Sequence, residues 1–101
     1  MPVEKQAILQ ELRTAEDQLQ AVSQLLEQDQ PCRQVLQQLQ AAQSAMGAAG
    51  SQLLRLEVER CLQAIQDDPS LEQRCEELSR LLNLYILLDK FTFKLSQNSQ
   101  R

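Results

Sequence analysis

Pro31-Cys32-Arg33-Gln34-Val35-Leu36-Gln37-Gln38-Leu39-Gln40-Ala41-Ala42-Gln43-Ser44-Ala45-Met46-Gly47-Ala48-Ala49-Gly50-Ser51-Gln52-Leu53-Leu54-Arg55-Leu56-Glu57-Val58-Glu59-Arg60-Cys61-Leu62-Gln63-Ala64-Ile65-Gln66 reads as one uninterrupted helix. Val35, Leu39, Ala42, Met46, Ala49, Leu53 and Leu56 step alternately by four and three, the spacing of one helix face. At 1.5 Å per residue the stretch is about 54 Å long. Leu36, Leu54, Val58, Cys61 and Ile65 widen its apolar face beyond what one neighbour covers. Gly47 and Gly50 cost about 1 kcal/mol each against alanine inside a helix. Their place in the small-residue centre Ala45–Gly50 predicts close approach of another helix there.

Outward from this stretch, the chain holds one helix on either side. Before it, Ile8, Leu12, Ala15, Leu19, Val22 and Leu26 form an apolar seam at heptad spacing, predicting a helix over about 3–28. Asp29-Gln30-Pro31 ends it, because proline restricts the residue before it and suits the first turn of the next helix. After it, Asp67-Asp68-Pro69-Ser70 is the second break. Asp68 fits an N-cap with Pro69 following, and Ser70 with Gln73 fits a capping box as the alternative. A third helix follows over about 70–95, with Leu71, Cys75, Leu78, Leu82 and Tyr85 on one face and Leu81, Leu84 and Leu88 nearby. That face assigns Cys75 to the core. Residues 1–95 are expected to be one all-α, three-helix domain, and 96–101 a disordered polar tail.

Composition agrees and narrows the function. Aromatics are 3% of the 101 residues, and two glycines and three prolines leave few breaks, so little material remains for strands. No run of about 18 apolar residues is present, which predicts no membrane span. The acidic start, with Glu4, Glu11, Glu16 and Asp17, does not read as a signal peptide. A cytoplasmic setting with reduced thiols is expected for Cys32, Cys61 and Cys75. Histidine is absent, removing the commonest general base and metal ligand together. No P-loop, nucleophile elbow, CxxC pair or acidic metal cluster occurs, so an enzyme is not expected. The net charge of −4 runs against generic nucleic-acid binding. Residues 1–66 set Lys5, Arg13, Arg33, Arg55 and Arg60 against eight carboxylates, Glu4, Glu11, Glu16, Asp17, Glu27, Asp29, Glu57 and Glu59.

Three helices of this length cannot enclose their own apolar surface in one chain, which predicts a homo-oligomer. Cys32 and Cys61 are 29 residues apart on one helix, about 43 Å, so they cannot meet within a chain. Twenty-nine steps of about 100° nonetheless return both to nearly the same face. Their midpoint falls between Met46 and Gly47. Two copies of the helix packed antiparallel about that point would bring Cys32 of one chain to Cys61 of the other, twice per dimer. Two ordinary cysteines filling core space would show the same spacing.

Residues 8–66 also resemble the CsoR/RcnR family of small all-helical bacterial repressors, which respond to copper, nickel, cobalt, formaldehyde or persulfide. The resemblance is carried by Leu26-Glu27-Gln28-Asp29-Gln30-Pro31-Cys32-Arg33-Gln34-Val35-Leu36-Gln37-Gln38-Leu39-Gln40-Ala41-Ala42, which has the family's E-x-D-x-x-C-x-x-V-L-x-Q-[LI]-x-A-[AV] form. It continues through Met46-Gly47-Ala48 and Leu53-Leu54-Arg55-Leu56-Glu57-Val58-Glu59-Arg60-Cys61. The resemblance implies an antiparallel dimer, or a pair of such dimers, and a cytoplasmic, effector-responsive, DNA-binding repressor. It matches Cys32 and Cys61 to the two thiolate ligands of the copper sensors. The position that supplies their imidazole holds Glu57, a poor substitute on a soft ion. The persulfide-responsive branch keeps the two cysteines without the histidine and is the nearest match. A two-thiolate Cu(I) site is the second option, with no obligatory cofactor otherwise. Pro2 opposite Cys32, as in the formaldehyde-responsive branch, is the third. The family's basic cluster for operator DNA falls on Glu11-Leu12-Arg13-Thr14-Ala15-Glu16-Asp17-Gln18, where Arg13 is the one basic residue, and the second-helix contact falls on Gln43. A member that has lost operator binding and serves as a thiol- or metal-binding or protein-interaction module is therefore the alternative function.

Overall fold

A computed structural model describes residues 3–99, with side chains from 4 to 91. It is all-α: α1 (Val3–Glu27), α2 (Cys32–Asp67) and α3 (Leu71–Ser99). The breaks lie where the prolines put them, with two local differences. Pro31 is the N-cap rather than the first helical residue, and its carbonyl accepts from the Gln34 and Val35 N–H groups. At the second break Ser70 is the N-cap, with the Gln73 N–H donating to Ser70 Oγ at 3.2 Å, but the box is not closed, because the Gln73 amide reaches Glu77 instead. Asp68 instead folds back on the turn, accepting from the Ser70 N–H at 3.3 Å. The helix of α3 runs to Ser99, past the expected end near 95 and into the stretch expected to be a disordered tail.

The end of α1 is closed by backbone geometry. Asp29 takes a φ of 53°, and the Gln30 N–H reaches the Leu25 carbonyl while the Asp29 N–H reaches that of Leu26. This is a Schellman cap with aspartate at the left-handed position that glycine usually fills.

The chain forms two compact units, Met1–Ala49 and Gly50–Arg101. In the first, α1 buries Ile8, Ala15 and Val22, and the first half of α2 buries Val35, Ala42, Ala45 and Ala49. Four of these seven are alanines, so the two helices meet through small side chains. Leu12, Leu19 and Leu26, the other half of the α1 seam, stay exposed.

The second unit pairs the rest of α2 with α3. Here the expected core face of α3 is corrected. Leu71, Leu78, Leu82 and Tyr85 are all more than half exposed, and Cys75 is exposed rather than in the core. The inward face carries Gln73, Glu77, Arg80, Leu81, Leu84 and Leu88. At about 100° per residue the two stripes lie roughly 130° apart around the helix. Apolar periodicity selected the wrong one because the first turns of α3 pack through charged groups. Close approach at Gly50 is observed, and its partner is α3: a Cβ there would lie 2.8 Å from Leu88 Cδ1.

Candidate functional site

Near its C-terminal end, α2 places Glu57, Arg60 and Cys61 within one helical turn and on adjacent faces. Across from them α3 presents Glu77 and Arg80, also a turn apart. The four charged groups close a ring. Arg60 reaches Glu57 at 3.3 Å and Glu77 at 2.9 Å. Arg80 reaches Glu57 at 2.8 Å through Nη1 and Glu77 at 3.4 Å through Nη2. Two cations and two anions leave the ring neutral. Glu77 is buried, Glu57 and Arg80 are half-buried, and Arg60 is exposed.

Cys61 lies against this ring and is 1% exposed. Arg80 Nη2 is 3.1 Å from its Sγ and Arg60 Nη2 is 3.6 Å away. Burial, with the Glu77 carboxylate beside it, pushes the thiol from 9.0 up to about 11. Arg60 pulls the other way and loses, because the carboxylates already claim its charge. Cys61 is thus a neutral, sheltered thiol at physiological pH in this conformation.

The other residues singled out in the sequence have different settings. Cys32 is the first residue of α2, in the first unit, and exposed. Arg13 is exposed on α1, flanked in sequence by Glu11, Glu16 and Asp17. Pro2 lies outside the described residues. Glu57, expected to mark a missing ligand, is a working member of the ion-pair ring. Sequence reasoning passed over Arg60, Glu77 and Arg80. The available signal was that Glu77, Arg80, Leu84 and Leu88 share one face of α3 at helical spacing.

The donor set does not fit a metal within one chain. Among the described residues no three His, Cys, Asp or Glu side chains converge as ligands. Glu57 is already bound to two guanidinium groups. No described helix is long and apolar enough to cross a membrane.

No curated protein and no solved structure matches the chain. Residues 4–84 do match a family model, that of the metal-sensitive transcriptional repressors. That match spans all of the first unit's described side chains and most of the second unit, including the ring around Cys61. The chain therefore belongs to the metal-sensitive transcriptional repressors, the CsoR/RcnR family.

Proposed function

We propose that this member of the family is a repressor that reads its effector by thiol chemistry at Cys32 and Cys61, with a persulfide or polysulfide as the effector class. The observation that carries the reading is the donor inventory: Cys32 is exposed, Cys61 is buried, and among the described residues no three metal-binding side chains converge at either. In the antiparallel homodimer that the exposed leucines of α1 and α2 call for, Cys32 of one copy faces Cys61 of the other. Cys32 takes sulfane sulfur from a persulfide RSSH and releases RSH. Cys61 of the second copy, once uncovered and ionised to its thiolate, then attacks the Cys32 sulfur to form the Cys32–Cys61 disulfide, and the departing sulfide takes up a proton and leaves as hydrogen sulfide. The oxidant is the persulfide, and its sulfane sulfur leaves reduced.

The test is treatment of the reduced protein with inorganic polysulfide, followed by non-reducing electrophoresis and mass spectrometry of the linked peptides. A Cys32–Cys61 link between subunits is expected, and either Cys→Ser change should remove it. Linkage through Cys75 alone would overturn the reading.

A second reading, a member that no longer binds operator DNA, is favoured by one observation. Arg13 is the one basic residue in the α1 stretch where relatives carry their basic cluster, and three carboxylates flank it. In this reading the same thiols serve a binding or interaction module.

A further inference from the structure

We infer that Arg80 is a built-in cation: its guanidinium fills the seat between Glu57 and Cys61 and excludes soft metal cations, Cu(I) foremost, from the Cys61 thiol. Glu57 and Cys61 are four residues apart on α2, the spacing at which two side chains on one helix face can close on a shared cation. The Arg80 fork spans the pair, with Nη1 on Glu57 at 2.8 Å and Nη2 on Cys61 Sγ at 3.1 Å. A cation is therefore already bound across this pair, and it is supplied by the chain's own α3.

Three features hold it there. Arg80 cannot lose its charge at any physiological pH, so it does not vacate the seat by deprotonating. Glu77, buried beneath it, anchors Nη2 at 3.4 Å, so the guanidinium is held from a second side. Arg60 stands 3.6 Å from the same sulfur and adds a second positive group that an arriving metal ion would meet. A metal would have to expel Arg80, leave it short of a partner, and bind a sulfur that faces another guanidinium. The inference concerns which species can reach Cys61 and stands whether or not persulfide is the effector.

The experiment is competition for Cu(I), supplied as the complex of a chromophoric chelator, in a Cys75→Ser background that keeps Cys32 and Cys61. Uptake is read from the chelator's colour and from thiolate-to-copper charge-transfer absorbance, and helical circular dichroism verifies folding. The expected result is that uptake by the otherwise unchanged chain is indifferent to Cys61→Ser. Arg80→Leu, which removes the cation without adding a copper ligand, should create uptake at least about tenfold tighter, and Cys61→Ser should abolish that gain. Arg80→Lys, which retains a cation, should behave as the parent does, and Arg80→Gln, which retains hydrogen bonding, should behave as Arg80→Leu does. Tight Cu(I) uptake by the parent that depends on Cys61 would overturn the inference. So would Arg80→Leu or Arg80→Gln binding no more tightly than the parent, or Arg80→Lys binding as tightly as they do.

Discussion

Cys61 shows how one residue's chemistry is set by its neighbours. A thiol held up at about 11 is protonated in the folded chain where an unfolded thiol at 9.0 is already ionising. The folded state then binds the extra proton, so folding stability is unaffected below about 9 and falls as pH rises from there towards 11. The loss should reach about 2 kcal/mol, and Cys61→Ala should flatten the slope in urea titrations run across that range. Alkylation should follow the same order, with exposed Cys32 and Cys75 labelled first and Cys61 only in alkali or on unfolding. Glu77 is the ring's buried member. Glu77→Ala leaves two guanidinium groups with Glu57 as their one shared anion, and because both reach water the expected cost is about 1–2 kcal/mol in chemical denaturation. A Glu77→Ala chain as stable as the parent would show that the ring is ornamental to folding.

At the scale of the helices, two positions carry local conflicts that substitution can read out. Asp29 holds a φ of 53° at the close of α1, a conformation that costs a residue with a Cβ about 1 kcal/mol. Asp29→Gly should therefore raise stability by roughly 0.5 kcal/mol, net of the greater freedom glycine has in the unfolded chain. Gly50 sits within α2 under Leu88, where a Cβ would come within 2.8 Å of Cδ1. Alanine there gains about 1 kcal/mol of helix propensity but must push the leucine aside. A double-mutant cycle separates the two effects: Gly50→Ala should stabilise more in a Leu88→Ala background than in the parent. Equal effects in both backgrounds would show that Leu88 yields freely.

For the whole molecule, the exposed apolar side chains predict association. Leu12, Leu19, Leu26, Leu36 and Leu39 in the first unit and Leu53, Leu62, Leu78 and Leu82 in the second lie open in a single chain. Light scattering should find a dimer or tetramer at micromolar concentration, and a stable monomer would contradict the antiparallel pairing. Charge governs DNA. With Arg13 as the one basic residue in its stretch and a net charge of −4, few phosphates can be neutralised per subunit. Any operator binding should show a shallow salt slope and vanish with Arg13→Ala. A steep slope in the parent would establish a basic surface that the linear charge pattern conceals.

Much of this was legible in the residues alone. The two prolines and the four-three apolar steps placed three helices, with bounds within a few residues except at the C-terminal end. The thirty-odd residues from Leu26 to Cys61, read with the spacing of Cys32, Glu57 and Cys61, pointed to the family before any geometry was known. What only the tertiary structure decided was which face of α3 turns inward. Its two stripes are comparably leucine-rich, and the choice was made by Glu77 and Arg80 pairing with Glu57 and Arg60 around Cys61. Helical periodicity comes from the chain's own backbone and is written in sequence order. A salt-bridge ring joins residues 17 to 23 positions apart on two helices, and its energy exists only once those helices have met.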